Sequence, residues 1–106
     1  MIAVVVLTTA GSEAEAAAIA RELVERRLAA CVNVIPGVRS TYRWQGAVQT
    51  ESEWLLLVKT ERDRFDAVRA AIKELHSYDV PEVVMVEIAE GDPAYLAWLA
   101  ESVGSG

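Results

Sequence analysis

Cysteine and histidine each occur only once in this sequence of 106 residues, as Cys31 and His76. A single cysteine cannot form an internal disulfide, which fits a reducing compartment, so we expect a cytoplasmic protein. A structural zinc site needs about four Cys or His ligands at short spacings. One copy of this chain therefore cannot build a zinc finger.

Positive charge and long apolar runs are also scarce. Ten Lys and Arg stand against sixteen Asp and Glu, which gives a formal net charge of −6. Such a chain repels a phosphate backbone, so nucleic acid is not an expected partner. The apolar run at residues 2–7 is much shorter than the roughly 20 residues of a membrane span and follows no basic segment. We therefore expect neither a membrane anchor nor an export signal.

The sequence is nevertheless rich in hydrophobic residues, at 53%, and has no compositional break, so we expect one domain over residues 1–106. The β-branched run at residues 2–9 lacks a helical period, which predicts a strand buried on both faces. Ser12 and Glu15 predict a capping box, in which the Ser12 hydroxyl accepts from the Glu15 amide and the Glu15 carboxylate reaches back to the Ser12 amide. A helix should follow, with an apolar stripe at Ala16, Ile19, Ala20, Leu23 and Leu28.

The rest of the chain predicts further strands and helices. Residues 31–44 predict a strand interrupted at Pro36-Gly37, Gln45-Gly46 predicts a tight turn, and residues 48–59 predict a third strand. Residues 60–63 resemble a second N-cap before a helix, residues 83–88 predict a fourth strand, and Asp92-Pro93 predicts the start of a last helix. The expected fold is α+β: a ferredoxin-like βαββαβ sandwich with a long β-hairpin arm and a C-terminal helix.

Two features predict self-association. Both faces of the first and fourth strands are apolar, although two helices can cover only one face of the sheet. The hairpin is also longer than the helices, so Tyr42 and Trp44 lie beyond their reach. A closed homo-oligomer would bury both surfaces. The alternative is that the two aromatic side chains fold back on their own chain.

The two rarest residues leave alternatives open. Cys31 fits either a small buried hydrophobic residue or, gathered with its copies around a symmetry axis, a soft ligand for copper. His76 fits either the C-terminal end of a helix or a binding role with Tyr78, Asp79 and Glu82 nearby. No third residue is evident to orient a Cys-His nucleophilic pair.

The carboxylates and the first loop argue against common site types. Glu51, Glu53, Glu61 and Asp63 are most simply a solvated surface, since no fixed-spacing calcium loop is present. An acylphosphatase would need an arginine-bearing loop between the first strand and helix, but residues 8–13 contain no arginine. An RNA-recognition module would need stacking aromatics on its open face, where the first strand supplies aliphatic residues and Thr.

Four separated segments carry a family resemblance: "LAACVNVIPGVRSTYRWQGAVQ" at residues 28–49, "LLLVKT" at 55–60, "LHSYDVPE" at 75–82 and "YLAWL" at 95–99. Together they resemble the CutA family of divalent-cation tolerance proteins over essentially the whole chain. The resemblance implies a cytoplasmic, non-enzymatic homotrimer, similar in assembly to PII signalling proteins. It also implies no obligatory cofactor and a capacity to bind copper or another divalent cation.

The resemblance also implies a set of site residues. The family motif falls on Cys31, Asn33, Tyr42, Trp44, Lys59, His76, Tyr78, Pro81 and Glu82. Family members usually have proline after the histidine, where this chain has Ser77. We expect Cys31 and His76 as metal ligands, Lys59, Tyr78 and Glu82 beside His76 as ligand-binding residues, and Tyr42 and Trp44 at the trimer interface.

Three functions remain as hypotheses. The first is divalent-cation tolerance with metal bound between subunits. The second is a PII-like regulator that binds a small anionic metabolite through Lys59. The third is a stable trimeric scaffold for another protein.

Overall fold

The computed structural model describes residues 2–104, which form an α+β fold around one antiparallel sheet with strand order β2-β3-β1-β4. The elements are β1 (Ala3–Ala10), α1 (Glu13–Glu25), β2 (Cys31–Trp44), β3 (Ala47–Glu61), a 3-10 turn (Arg62–Arg64), α2 (Phe65–Leu75), β4 (Val84–Glu87) and α3 (Pro93–Val103). The predicted α+β class and element order are confirmed. The fourth strand is two residues shorter than residues 83–88.

The main core lies between the sheet and the pair α1 and α2. Side chains of β1 alternate in burial, so that Val4 and Val6 are fully enclosed by the helices while their neighbours are half-buried. The helices contribute Ile19, Leu23 and Ile72 to the same cluster. Burial of a large aliphatic side chain stabilises a fold by about 1.5–3 kcal/mol, so this layer supplies most of the subunit's stability.

The opposite face of the sheet is only partly covered. Helix α3 packs Leu99 and Val103 against Ala3 and Ala30 at one end of that face. The rest of the face lies open within the chain and is largely apolar, and we call its apolar part the open face. It consists of Val5, Leu7, Ile35, Leu55, Leu57, Val84 and Val86, which are neighbours through the strand register.

The hairpin of β2 and β3 projects from the body as an arm. Residues 41–52 are all exposed, and the molecule measures 46 × 25 × 22 Å. The ladder shifts register between Ile35 and Val38, where Gly37 has φ +74°. At the tip, Gln45 and Gly46 have φ of 49° and 81°. Two successive positive φ values suit the right-handed twist of a hairpin, which confirms the predicted turn.

One predicted cap is wrong. Thr60 does not begin a helix: it pairs with Val4 inside β3, it is fully buried, and its Oγ1 donates to the Leu28 carbonyl at 2.7 Å. Helix α2 begins later, at Phe65, without a side-chain cap. The strand continues because the sheet pairing satisfies the Thr60 backbone and the Leu28 carbonyl satisfies its hydroxyl.

Candidate functional site

A groove of about 720 Å³ lies between the arm and the loop that follows α2, and we call it the arm groove. Its lining residues combine carboxylates with aromatic rings and contain no Lys or Arg. They are Thr9, Ser40, Thr41, Tyr42, Trp44, Glu51, Glu53, Tyr78, Asp79, Val80 and Glu82. The arm groove is therefore negatively charged, and aromatic rings form part of its walls.

Two phenols hold two of these carboxylates in place. The Tyr78 hydroxyl donates to Glu53 Oε2 at 2.8 Å, and the Tyr42 hydroxyl donates to Glu51 Oε1. Burial, and then the hydrogen bond to Glu53, raises the pKa of Tyr78 well above its usual range. The hydrogen bond to Glu51 is the main cause that raises the pKa of Tyr42. Both phenols therefore remain protonated donors at neutral pH.

His76 anchors the loop that carries Tyr78. Its side chain is fully buried, its Nε2 lies 2.6 Å from the Thr9 carbonyl, and the Tyr78 amide donates to its Nδ1 at 3.1 Å. With the Tyr78 amide donating to Nδ1, Nε2 is the nitrogen that can donate to the Thr9 carbonyl. The predicted position after the last residue of α2 is confirmed. The predicted interaction of a cationic His76 ring with the α2 dipole is not confirmed, because the ring bonds to the Thr9 carbonyl of β1.

Glu15 approaches the same histidine. The Glu15 amide donates to Ser12 Oγ at 3.1 Å, as the capping box predicts. The Glu15 carboxylate does not bond to the Ser12 amide, as a full capping box would require. Its Oε1 lies 3.3 Å from His76 Nδ1. This contact would be an ion pair only with a protonated ring, and Tyr78 already occupies Nδ1. Oε1 is accordingly buried without a hydrogen-bond partner.

A second polar cluster lies on the same side of the sheet as the open face, where Lys59 pairs with Val5 and Asn33 pairs with Leu57. Cys31 pairs with Lys59 across the ladder. Asn33 Oδ1 accepts from Lys59 Nζ and lies 3.9 Å from Cys31 Sγ. The thiol is half-buried and free. The cluster contains Cys31, one of the two metal ligands that we expected from the sequence.

Cys31 and His76 do not meet within one chain. The register places Cys31 beside Lys59, which pairs with Val5, whereas His76 contacts Thr9. Four residues of strand separate these points by about 13 Å. Within residues 2–104, no three His, Cys, Asp or Glu side chains come close enough together to hold a metal ion. A mononuclear site with both residues from one subunit therefore does not fit this geometry.

The sequence-derived residues thus divide between two places. Tyr78 and Glu82 line the arm groove, together with the two aromatics expected at a trimer interface, Tyr42 and Trp44. His76 supports the groove from behind, with its ring 4.6 Å from that of Tyr78. Cys31 and Lys59 lie on the sheet.

Two buried carboxylates correct the sequence analysis. Glu53 and Glu61, interpreted as solvated surface, are only 7% and 3% exposed. Glu53 lies on the same face of β3 as Leu55, which is the open face, so the alternation along the strand gave no signal of its burial. The contact that buries it, with Tyr78, spans 25 residues and leaves no local pattern.

Comparison with known proteins places the chain in a family. The family model described as "CutA1 divalent ion tolerance protein" matches residues 4–102. A divalent-cation tolerance protein CutA of Thermus thermophilus is 54% identical over 100 residues, which cover 94% of this chain and 97% of the relative. A rice protein named "Protein CutA 1, chloroplastic" is 41% identical over 93% of this chain and 56% of its own length.

The fold agrees with that assignment. A solved structure of the Thermus thermophilus divalent cation tolerance protein has a TM-score of 0.93 at 53% identity, covering 96% of this chain and 99% of that one. No helix formed by residues 2–104 has the length and apolar character to cross a membrane. The family description names ion tolerance and no reaction. This chain belongs to the CutA1 divalent ion tolerance family.

Proposed function

We propose that this chain is a non-catalytic divalent-cation tolerance protein of the cytoplasm. In this proposal three ferredoxin-like subunits form a PII-like homotrimer, and divalent metal ions, copper among them, bind between the subunits. The open face is the observation that carries the proposal, because it gives the subunit a surface that needs a second copy.

The composition of that face supports self-association. Its most exposed members are Val86 at 53%, Val84 at 46% and Ile35 at 40%. Seven apolar side chains that are each about half covered would gain on the order of 5–10 kcal/mol per subunit on full burial. Large contiguous apolar patches on soluble proteins commonly mark interaction surfaces. A second copy of the same chain is the partner that is always present.

The arm favours a closed ring over a simple pair. It projects from one side of the body, whereas the open face lies on the sheet, so two different surfaces of each subunit require cover. Contacts between unlike surfaces are heterologous, and they close into a ring when the rotation permits. Three subunits is the number that the family resemblance implies.

Metal binding in this proposal depends on assembly. One subunit offers a free thiol at Cys31, with the Asn33 amide oxygen beside it, but residues 2–104 supply no set of three ligands. Thiolate is a soft ligand that suits copper in its reduced state. Copies of Cys31, or side chains of a neighbouring subunit, would complete the coordination. His76 acts here by holding the loop of Tyr78 and Glu82.

Calorimetric titration of the assembled protein with copper tests this proposal. We expect binding heat in the wild type, and we expect Cys31→Ser to abolish it while the particle mass stays the same. The control variant Ser77→Ala changes an exposed hydroxyl outside the sheet and should bind as the wild type does. Unchanged heat in Cys31→Ser would remove the thiol from the site, and absence of heat in the wild type would contradict metal binding.

The geometry gives no comparable support for a small anionic metabolite. The arm groove presents four carboxylates, and Lys59 is engaged by Asn33 on the sheet. An anion entering the groove would meet like charge.

A further inference from the structure

We propose that the loop after α2 fixes the direction in which the arm leaves the body. It does so through a chain of hydrogen bonds from Thr9 to Glu53, which we call the brace, with His76 and Tyr78 as its two middle members. The brace lies within one chain. Its consequence is that a neighbouring subunit meets the arm in one orientation, and this last step rests on the proposed homo-oligomer.

The arm and the body meet at a joint in the sheet. Strand β1 ends at Ala10, which pairs with Trp54, so from Glu53 outward the arm is a ribbon of β2 and β3 alone. The register of these two strands shifts at the same level, between Ile35 and Val38, and Val38 pairs with Glu53. A bulge bends its strand and increases the local twist. The ladder is therefore interrupted where the arm begins, and contacts outside the ladder contribute to the direction of the arm.

The brace spans this joint. On the body side, His76 Nε2 lies 2.6 Å from the carbonyl of Thr9, which pairs with Leu55. On the arm side, the Tyr78 hydroxyl donates to Glu53 Oε2 at 2.8 Å. The Tyr78 amide donates to His76 Nδ1 at 3.1 Å and so joins the two halves. A swing of the arm about the joint would stretch or break at least one of these bonds.

The members of the brace are shielded from water. The His76 side chain is fully buried, and Glu53 is only 7% exposed. Burial, and then the hydrogen bond to Glu53, raises the pKa of Tyr78, so its phenol stays a donor at neutral pH. A hydrogen bond to a carboxylate is about twice as strong as one between neutral groups. The bond between Tyr78 and Glu53 is therefore the contact that holds the arm most firmly.

Gly11 provides the space for that bond. A Cβ at Gly11 would lie 2.9 Å from the Tyr78 hydroxyl, whereas a Cβ at Gly37, in the joint, would meet no atom within 4 Å. Gly37 has φ +74°, but Gly11 has no positive φ. Glycine at position 11 therefore serves the room it leaves for Tyr78, and Gly11→Ala should displace the phenol from Glu53.

Distances between two spin labels test the brace. One label is placed near the arm tip by Val48→Cys and the other on α1 by Val24→Cys, both at exposed positions, in a Cys31→Ser background. The labelled chains are co-assembled with an excess of unlabelled chains, so that the measured distance lies within one chain. We expect one narrow distance distribution with the native brace and a broadened or shifted distribution in Tyr78→Phe.

Further variants separate the brace from a general loss of structure. Glu53→Leu removes the acceptor and should match Tyr78→Phe, and combining the two should add no further broadening. Glu53→Gln keeps an acceptor oxygen and should stay close to the wild type. The control Tyr95→Phe removes a phenol hydroxyl from an exposed ring on α3 and should change nothing. An unchanged distribution in Tyr78→Phe would overturn the proposal.

Light scattering on dilution tests the link to assembly. We expect Tyr78→Phe to dissociate at about a tenfold higher protein concentration than the wild type, because a freed arm must be ordered again on association. Circular dichroism establishes that the variant is folded, and Gly11→Ala replaces it if it is not. Unchanged dissociation in a variant with a broadened distribution would overturn the link to assembly. A monomeric wild type would overturn that link together with the proposed homo-oligomer, while the label distances would still decide whether the brace exists.

Discussion

At the scale of single residues, the groove is built on contacts between distant parts of the chain. His76 bonds to the carbonyl of Thr9, 67 residues away, and Tyr78 bonds to Glu53. The position of His76 directly after a helix is predictable from the sequence and is confirmed. It could not identify the Thr9 carbonyl as the partner, because hydrogen bonds between elements follow from the tertiary packing of the sheet and helices.

The buried imidazole should therefore contribute strongly to stability. We expect His76→Phe to lower the free energy of unfolding by about 2–4 kcal/mol, since it leaves the Thr9 carbonyl and the Tyr78 amide without partners. Urea denaturation measures the change. Ser77→Ala, next to it in an exposed position, is the control and should stay within about 0.5 kcal/mol. Equal loss in both variants would contradict the proposed role of His76.

The raised pKa of Tyr78 has a consequence at alkaline pH. A raised pKa means that the folded state holds the proton more tightly than the unfolded state does, so this contribution is complete below the unfolded value of 10.0 and is lost as pH rises above it. We expect Tyr78→Phe to show a smaller decline in unfolding free energy above about pH 10. Denaturation from neutral to alkaline pH measures the difference, and identical declines would contradict it.

Gly11 belongs to the same contact. A Cβ at this position would lie 2.9 Å from the Tyr78 hydroxyl, so the absence of a side chain lets the phenol reach Glu53. The sequence alone gave this glycine no role, since it reads as part of an ordinary loop.

At the scale of helices and strands, the sequence was sufficient to predict the structure wherever a side chain caps the backbone of its own helix or a turn depends on its own residues. Ser12 caps α1 and Asp92 caps α3 as predicted, and the turn at the arm tip has the expected conformation. The failure at Thr60 has the opposite cause. A hydroxyl next to acidic residues resembles a cap, but strand pairing with Val4 extends β3 through that position. Only the register of the sheet distinguishes the two cases.

The cap of α3 gives the prediction at this scale. Asp92 Oδ2 accepts from the Tyr95 amide at 3.1 Å, so Asp92→Ala should destabilise the protein by about 0.5–2 kcal/mol. Asp92→Asn keeps an acceptor at the same place and should cost much less. Thermal unfolding of the two variants provides the comparison. A loss of equal size in both would mean that the charge, rather than the cap, stabilises α3.

At the scale of the whole molecule, the sheet has two faces with different partners. Helices α1 and α2 enclose one face, whereas α3 covers only one end of the other. The sequence predicted this surplus of apolar surface from the two-sided character of β1 and β4. It could not predict that residues of the arm and the loop after α2 would form a groove, because that depends on the angle at which the arm leaves the body.

The open face can be changed without disturbing the core. Val86 is 53% exposed and pairs with Val5 at its centre. In Val86→Lys a charge would be placed where we expect a neighbouring subunit, so the variant should dissociate while each chain stays folded. The exposed Val24 on α1 is the matched control, and Val24→Lys should leave the assembly intact.

Light scattering on the purified protein in dilute neutral buffer tests the central claim most directly. The account predicts a particle of three times the chain mass of 11.5 kDa for the wild type, and a smaller particle for Val86→Lys. A compact, monodisperse wild-type species of 11.5 kDa would contradict it, because the open face would then be stable in water without a second copy.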